Sequence, residues 1–436
     1  MSEKARLLVV QVAALGWDLV EPELGRGTAF SFFPITPVFP ALTCPVQASL
    51  RTGLPPGEHG VVANGFYFRD LRKVLFWEQA ASLVQGPRIW ESARAQGKRV
   101  GMIFWQQSLG EAVDMVLSPR PIHKHSGGMI QDCRCRPESL YPDLCATLGR
   151  SFNLMHYWGP LASHRSSDWI TNAAAAIMAC ADAPDLLFAY LPNLDYDLQR
   201  RGPAAPEAAR ALKQTLDMLD LLHRAARSHG WEVCVVGDYA IRSAEAGPIY
   251  PNRALRDAGW FTMHTVKGMA YPDFFHAAAF AMVDHEIAHV YVQDPAQREA
   301  VRATLEQLDG VERILHGAAL QEAGLAHEQR AGDFVLVAAE GHWFAYPWWT
   351  DPREAPDYAT HIDIHNKPGY DPCELFWGWP PPRVSQNGAR VKGTHGKAGP
   401  GREVACALTW TPDTPCENHL SLAQALGAYM AGPGES

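Results

Sequence analysis

The sequence predicts an α/β protein with a mostly parallel central sheet and helices on both faces. Short apolar runs rich in β-forming residues recur along the 436-residue chain, and longer helical patterns separate them. Strands that alternate with helices in this way are typical of parallel sheets covered on both sides. The predicted strands are Leu7–Val12, Val100–Trp105, Leu186–Leu191, Val233–Val236, His289–Val292, Phe334–Ala338 and Val404–Leu408.

A helical pattern between two of these strands supports the same fold class. Gly230 follows this pattern as a stop signal. The apolar residues recur on one helical face and are Ala208, Leu212, Leu216, Leu219 and Leu222. In an open parallel sheet the ligand site lies beyond the carboxyl ends of the strands. The polar residues that follow the predicted strands are therefore the candidates for a functional site.

Composition and charge restrict the classes of function. Hydrophobic residues make up 47% and charged residues 19% of the chain, which is ordinary for a globular protein. The net charge of -9 argues against a nucleic acid polymer or an anionic membrane as partner. No apolar run is long enough to span a bilayer. The start, from Met1 into Leu7, lacks the pattern of a secretory signal, so we expect a cytoplasmic location.

The nine cysteines do not indicate a disulfide framework. Their number is odd and they are scattered along the chain. Cys133 and Cys135 form a C-x-C pair, but no second Cys or His pair stands at zinc-finger spacing. The pair therefore gives little reason to expect a metal or redox role.

The first candidate for chemistry is Thr43, in the stretch Pro40-Ala-Leu-Thr-Cys-Pro45. A hydroxyl residue follows an extended segment where a helix is expected to begin, and Pro45 suits the first helical turn. At that place Thr43 would lie beside unpaired backbone N–H groups that favour an anion such as phosphate. The alternative is that Thr43 serves only as the N-cap of the helix.

The residues after Thr43 favour the functional interpretation. Thr52-Gly53, Glu58-His59-Gly60 and Asn64 follow at fixed spacing. This segment resembles the nucleophile region of the nucleotide pyrophosphatase/phosphodiesterase branch of the alkaline phosphatase superfamily. The resemblance implies an alkaline phosphatase-like fold, a nucleophilic Thr43, and an Asn64 that holds a phosphate oxygen.

The same resemblance implies metal ligands, of which the chain keeps three. Asp195 follows the strand Leu186–Leu191, Asp238 follows Val233–Val236, and His395 lies in the late G-x-H-G motif. Three further ligand positions are occupied by other residues, namely Ala13, Gln199 and Tyr239. Alanine cannot coordinate a metal, a glutamine amide is a poor zinc ligand, and a phenol stays protonated near neutral pH. A standard two-zinc site is therefore not expected.

Three alternatives remain open for the metal. Asp195, Asp238 and His395 could hold a single ion, with water or substrate completing its shell. Replacement ligands could come from His361, Asp363 and His365, which would share one face of an extended segment. The alternative for these three residues is a solvent-exposed edge strand without a ligand role. The site could also hold no metal. Lys367 could pair with a phosphate or carboxylate, and Gln199 and Tyr239 could contact substrate instead of metal.

Another histidine pair fits a known motif but not its context. His285-Glu-Ile-Ala-His289 matches H-E-x-x-H, which binds zinc when it lies on a helix. Here Val290-Tyr-Val292 follows at once and indicates a strand. We therefore expect a structural or substrate-contacting role for His285, His289 and the preceding Asp284.

The chain is expected to divide into three regions. Residues 1–284 and 393–436 form the predicted catalytic core, and 285–338 form a small α+β lobe. Residues 339–392 lack periodicity but are rich in Trp, Pro and Tyr. A long aperiodic segment with so many aromatic residues is more often functional than disordered. We interpret it as an ordered lid over the site, with irregular core as the alternative.

Together these observations predict a metal-dependent hydrolase that uses a threonine nucleophile. Its substrate would be a small anionic organic molecule: a phosphodiester, a phosphoester or a phosphonate. The cofactor would be a divalent metal, with zinc as the expected ion and one or two ions bound. The alternative is a metal-poor relative that binds an anionic small molecule without hydrolysis, or that runs a non-phosphoryl reaction on the same scaffold.

Overall fold

The structure is a computed structural model that describes residues 6–125 and 128–432. Residues 1–5, on which the expected cytoplasmic location partly rested, and residues 433–436 of the predicted core lie outside this range. Among the described helices, none combines the length and the apolar character needed to cross a membrane.

An eight-stranded sheet forms the centre of the molecule. Its five inner strands are mutually parallel, and antiparallel strands close it at both edges. In spatial order the strands are Phe33–Ile35, Val404–Leu408, Glu232–Gly237, Leu7–Val12, Leu186–Leu191, Val100–Ile103, Met115–Pro119 and Cys133–Arg136. The predicted fold class is confirmed, and each core strand expected from the sequence lies in this sheet.

The inner strands are buried along their whole length because helices cover both faces. Leu7–Val12 and Leu186–Leu191 are buried at every position. The α-helices are Trp17–Val20, Thr43–Thr52, Pro56–His59, Glu91–Ala95, Leu140–Leu148, His164–Ala179, Asn193–Arg201, Pro206–Ser228, Pro251–Asp257, Arg298–Leu305, Ala318–Glu322 and His419–Ala431. Pro206–Ser228 is the amphipathic helix expected from the sequence, and it buries Ala208, Leu212, Leu219 and Leu222 against the core.

A separate four-stranded antiparallel sheet corresponds to the expected α+β lobe. Its strands, in spatial order, are Ala279–Asp284, Ile287–Val292, Phe334–Ala338 and Val311–Leu315. The expected boundary at residue 285 therefore falls within a hairpin, because Ala279–Asp284 pairs with Ile287–Val292. An apolar strand that belongs to a second sheet has the same local pattern as a core strand, so sequence alone could not assign it.

Smaller two-stranded sheets accompany the two large sheets. They are Gly65–Phe68 with Lys73–Phe76, Ile122–His123 with Met129–Ile130, Arg242–Ser243 with Gly393–Thr394, Gly247–Ile249 with His342–Phe344, and Met263–Val266 with Met269–Pro272. The aromatic-rich segment after Glu340 is mostly irregular, with short 3₁₀ turns. Trp343, Trp348 and Trp349 are buried, whereas Trp379 is 86% exposed, so only part of this segment is core.

Candidate functional site

A cavity of about 700 Å³ lies at the carboxyl ends of the parallel strands. Predicted site residues from distant parts of the chain meet at its surface: Thr43, Asn64, Asp195, Gln199, Tyr239 and His395. Aromatic side chains form much of the remaining wall, including Trp77, Phe104, Tyr157, Trp158, Tyr196 and Tyr370. The cavity is large enough for a small organic molecule.

Thr43 is the first residue of the helix Thr43–Thr52, and Leu42 is its N-cap. The interpretation of Thr43 as an N-cap is therefore wrong. Its side chain is instead available to the cavity, with Oγ1 3.3 Å from Asp238 Oδ2 and 3.4 Å from the hydroxyl of Tyr190. Both contacts are long for hydrogen bonds between oxygens, which leaves the hydroxyl free to change partner.

The start of this helix offers fewer free amides than we expected. The N–H of Cys44 donates to Asn64 Oδ1 at 3.0 Å, and Val46 donates to the carbonyl of Leu42. Pro45 has no N–H. In the described part of the chain, the amide of Thr43 itself is thus the first-turn donor left for an anion.

Asn64 is held in one orientation by two partners. Its Oδ1 accepts from Cys44, so its Nδ2 faces Asp284 and donates to Oδ1 at 3.2 Å. The backbone N–H of Asn64 donates to Asp284 Oδ2 at 2.8 Å. An amide nitrogen carries two hydrogens, so one remains for a ligand oxygen. Asn64 is 1% exposed and lies on the cavity surface beside Thr43.

Asp238 is saturated with hydrogen-bond donors. Its Oδ1 accepts the backbone N–H groups of Ala14 and Tyr239, both at 3.0 Å, and its Oδ2 accepts Gln11 Nε2 at 3.0 Å. Burial raises the pKa of Asp238 to about 8, although the Ala14 and Gln11 hydrogen bonds act in the opposite direction. Gln11 could have been found from the sequence, because it is the single polar residue of the strand Leu7–Val12.

Asp195 is paired with the two residues that replace metal ligands. Its Oδ2 accepts Gln199 Nε2 at 2.7 Å, and its Oδ1 accepts the phenol of Tyr239 at 3.0 Å. The pair forms because Asp195 and Gln199 are four residues apart in the helix Asn193–Arg201. Burial raises the pKa of Asp195 to about 6, and these two hydrogen bonds moderate the increase.

His395 is enclosed by rings. Its imidazole stacks on Tyr239 with 3.3 Å between centroids and 4° between planes, and the ring of His285 lies 3.8 Å away. Its Nδ1 is 3.0 Å from the carbonyl oxygen of Ala41, which accepts a hydrogen from that nitrogen. Burial lowers the pKa of His395 well below its ordinary value, so the ring is neutral.

The donor set does not fit the expected metal. Within residues 6–125 and 128–432, no group of three or more His, Cys, Asp or Glu side chains is placed to hold a metal ion. Both oxygens of Asp195 already accept N–H or O–H donors, as do both oxygens of Asp238. A cation at this place would have to compete with these donors for the carboxylate oxygens. Within the described residues, the predicted set of Asp195, Asp238 and His395 is not gathered as a metal-binding group.

The predicted substitute ligands are dispersed. Residues 361–365 do not form a strand, so the expected common face of His361, Asp363 and His365 is absent. Asp363 and His365 line the cavity, and His365 Nδ1 lies 3.1 Å from the carbonyl of Phe76. His361 is exposed and its Nδ1 donates to the carbonyl of Asp357. The alternation that suggested a strand is interrupted by turns that start at these residues.

Lys367 is a structural residue and not a substrate contact. Its ammonium group is 1% exposed and lies 2.8 Å from Asp371 and 2.7 Å from Glu374. Arg200 is similarly engaged, because its guanidinium donates to the carbonyls of Leu375, Ala162 and Gly159. Both cations hold the aromatic-rich segment in place, which removes them as partners of an anionic ligand.

Asp284 and His285 lie at the turn of the hairpin in the second sheet. His285 adopts a positive φ of 59°, which is uncommon for a residue other than glycine. Its Nδ1 is 2.9 Å from Asp284 Oδ1. His289 lies within the strand, accepts from the N–H of Gly332 and donates to the carbonyl of Val62, so it is structural. The strand context that argued against a helical zinc motif is confirmed.

The fold and the site together define an α/β protein of the alkaline phosphatase-like class with a cavity at the strand ends. Comparison with known sequences agrees with this. The sequence model of the type I phosphodiesterase / nucleotide pyrophosphatase family matches residues 26–371, and the chain belongs to this family. The name of this family is that of the hydrolase class expected from the sequence, phosphodiesterases and nucleotide pyrophosphatases.

Known structures share the fold at low sequence identity. Murine ectonucleotide pyrophosphatase/phosphodiesterase 5 superposes with a TM-score of 0.60 at 15% identity, covering 97% of this chain and 94% of that one. Phosphonoacetate hydrolase from Sinorhizobium meliloti 1021, in complex with phosphonoformate, gives 0.61 at 16% identity, covering 98% and 96%.

One curated relative matches over a short stretch. Ectonucleotide pyrophosphatase/phosphodiesterase family member 3 from Bos taurus is 33% identical over 78 residues, which is 17% of this chain. That stretch spans 9% of the relative's own length.

Proposed function

We propose that this protein hydrolyses a small phosphoester, phosphodiester or phosphonate, with Thr43 as the nucleophile. The observation that carries the proposal is the position of the Thr43 hydroxyl. It lies on the cavity surface at a helix N-terminus, 3.3 Å from the Asp238 carboxylate and next to the oriented amide of Asn64. A hydroxyl with a neighbouring base and an anion-binding donor is the arrangement that nucleophilic catalysis at phosphorus needs.

The reaction can be written with the side chains alone. Thr43 Oγ1 forms a bond to phosphorus while the bond from phosphorus to the leaving group breaks. The hydroxyl proton passes to Asp238 Oδ2 and then to the leaving group, which keeps the electron pair of the broken bond. Water attacks the resulting phosphothreonine, and its proton returns to Thr43 as the phosphate departs.

Two donors would stabilise charge on the non-bridging oxygens. The free N–H of the Asn64 amide and the backbone amide of Thr43 both lie at the helix start, where the dipole also favours negative charge. Asn64 does not need to reorganise, because Cys44 and Asp284 already fix its side chain. A divalent metal remains a prediction from the family resemblance, and no step above depends on one.

The structural neighbours support the choice of nucleophile and substrate class. One structure of murine ectonucleotide pyrophosphatase/phosphodiesterase 5 is an inactive threonine-to-alanine variant in complex with AMP. Phosphonoacetate hydrolase is described with phosphonoacetate and with phosphonoformate, both small anions that contain a phosphonate group. The cavity of the present protein is of suitable size for such a small anionic organic substrate.

A second function is favoured by the environment of Asp195. Gln199 and Tyr239 satisfy this carboxylate with hydrogen bonds, and Ala13 contributes only a methyl group. A site in which protein donors already hydrogen-bond the buried carboxylate could bind an anionic small molecule without cleaving it. This candidate shares the cavity with the first and differs from it in turnover.

Turnover separates the two candidates. Purified protein is analysed for bound metal and then assayed with bis(p-nitrophenyl) phosphate, p-nitrophenyl phosphate and phosphonoacetate, with and without added Zn²⁺, Mn²⁺ or Mg²⁺. We expect hydrolysis that Thr43→Ala abolishes and that Cys133→Ala leaves unchanged, with phosphothreonine detected at Thr43 by mass spectrometry. Binding of phosphonoacetate without any turnover would establish the second function instead.

A further inference from the structure

The imidazole of His285 has a hydrogen-bonding atom without a partner. Its side chain is 4% exposed, and Nε2 is buried with no hydrogen-bond partner in the described part of the chain. A buried polar atom without a partner carries a desolvation cost, because it has lost its hydrogen bonds to water. Such a cost at a cavity surface is an indication of a ligand, because the ligand can supply the missing hydrogen bond. His285 lines the same cavity as Thr43 and Asn64.

The partner of the other ring nitrogen determines what Nε2 can do. Asp284 receives two N–H donors from Asn64, so it acts as an acceptor at this position. Nδ1 of His285, 2.9 Å away, therefore carries the hydrogen and donates to Asp284. In a neutral imidazole with a hydrogen on Nδ1, Nε2 has a lone pair and accepts a hydrogen bond.

The ring itself is held firmly. It stacks on Tyr370, with 3.8 Å between centroids and 22° between planes, and the ring of His395 lies 3.8 Å away, tilted by 39°. Its backbone carbonyl accepts the N–H of Phe344 at 2.7 Å, which helps to retain the unusual φ of 59°. A residue with a strained backbone and a tightly enclosed side chain is typical of a functional position.

We propose that His285 Nε2 is a specificity-determining acceptor for a hydroxyl or amino group on the organic part of the substrate. The same Asp284 carboxylate orients both this imidazole and Asn64, so the acceptor and the proposed phosphoryl-binding amide are parts of one rigid unit. The substrate is then a phosphoester or phosphonate with a hydrogen-bond donor close to the phosphoryl group. The placement of the phosphoryl group rests on the proposed function, whereas recognition of the donor needs binding alone.

Three phosphonates of similar size test this inference by isothermal titration calorimetry. 2-Hydroxyethylphosphonate and 2-aminoethylphosphonate carry a donor where propylphosphonate carries a methyl group. We expect at least one of the first two to bind about tenfold more tightly than propylphosphonate, as one satisfied buried hydrogen bond implies. The two donor probes show whether a hydroxyl or an amino group is preferred.

In His285→Asn the shorter side chain leaves no acceptor at the place of Nε2, its amide N–H can still donate to Asp284, and asparagine tolerates a positive φ. We expect this variant to lose the preference, and we expect His264→Asn, on an exposed hairpin outside the cavity, to retain it. Equal affinities of wild-type protein for all three phosphonates, or no binding of any, would overturn the proposal, as would an unchanged preference in His285→Asn.

A measurement on wild-type protein is independent of any variant's folding. In ¹⁵N-histidine NMR spectra, His285 should show hydrogen on Nδ1 and a bare Nε2 that shifts when the donor-bearing phosphonate binds. Hydrogen on Nε2 in the free protein would refute the proposal. If the preference is present but no phosphonate or phosphoester is cleaved, the binding inference stands and the hydrolytic function fails.

Discussion

The phenol of Tyr239 donates a hydrogen bond to Asp195 Oδ1, with 3.0 Å between the two oxygens. By the family resemblance, Tyr239 occupies the position of a histidine that would bind metal. Gln199, at a second such position, donates to the other oxygen of the same carboxylate at 2.7 Å. Two neutral donors thus satisfy a buried carboxylate that a metal would otherwise satisfy.

Restoring the three replaced positions should create metal binding. We expect the triple variant Ala13→Asp, Gln199→His, Tyr239→His to retain stoichiometric Zn²⁺ after purification, because three ligands replace a methyl group and two donors. Wild-type protein should retain less than the variant. Inductively coupled plasma mass spectrometry measures both, and the double variant Gln199→Leu, Tyr239→Phe is the control that removes donors without adding ligands. Equal zinc in wild-type and triple-variant protein would contradict the prediction.

Asn64→Ala should weaken the binding of phosphonate ligands. The variant loses one donor to the ligand, leaves the N–H of Cys44 without its acceptor, and removes the side-chain donor to Asp284, which keeps the backbone N–H of residue 64. We expect an increase of about tenfold or more in the dissociation constant of phosphonoacetate, measured by calorimetry. Asn387→Ala, at an exposed turn, serves as control and should bind as the wild type does.

Removing the buried charge of Lys367 should destabilise the protein. Burial alone would lower the pKa of Lys367, but the carboxylates of Asp371 and Glu374 raise it above its usual value, so the group is charged. Lys367→Met leaves both acids without their cation, and Glu374 also anchors the indole of Trp158 at 2.6 Å. We expect a loss of about 3–5 kcal/mol in the free energy of unfolding, measured by urea denaturation.

The matched control for this prediction is Lys213→Met. Lys213 pairs with Asp217 at 3.0 Å on an exposed helix face, where such pairs contribute at most about 1 kcal/mol. A similar loss of stability in both variants would show that the buried cluster is not specially dependent on its cation.

Acid should destabilise the protein in part through His59. Burial, together with the charge of Arg51, lowers the pKa of His59 to about 3, and the ring hydrogen-bonds to Ser49 and to the N–H of Val61. In the unfolded chain a histidine has a pKa of about 6.5. The unfolded state therefore binds a proton that the folded state does not, and the stability from this group is present above pH about 6.5 and declines as the pH falls towards 3.

We expect His59→Gln to reduce the slope of unfolding free energy against pH between about 6.5 and 4, while lowering stability at pH 7. Thermal or urea denaturation over this range measures both effects. His229→Gln, at the exposed end of the helix Pro206–Ser228, is the control and should leave the slope unchanged. An identical pH slope in wild-type and His59→Gln protein would contradict the prediction.

Local sequence patterns predicted the strands and the position of the site. Leu7–Val12 and Leu186–Leu191 agree with the predicted bounds residue by residue, because continuous burial requires continuous apolar sequence. Thr43 lies at a helix start because an extended segment, a hydroxyl residue and Pro45 mark that boundary locally. The segment around His361 was not predictable in the same way. Polar and apolar residues also alternate in irregular segments that have one side against the protein and the other in solvent.

The sequence by itself determined the fold class, the family resemblance, the position of Thr43 and Asn64, and the loss of three ligand positions. Tertiary structure alone decided what the substituted residues do. Asp195 and Tyr239 are 44 residues apart, and Asn64 and Asp284 are 220 residues apart. Their hydrogen bonds depend on strand order and on the docking of the second sheet, which local periodicity does not encode. The same packing buries Lys367 and, within the described residues, leaves Nε2 of His285 without a partner at the cavity.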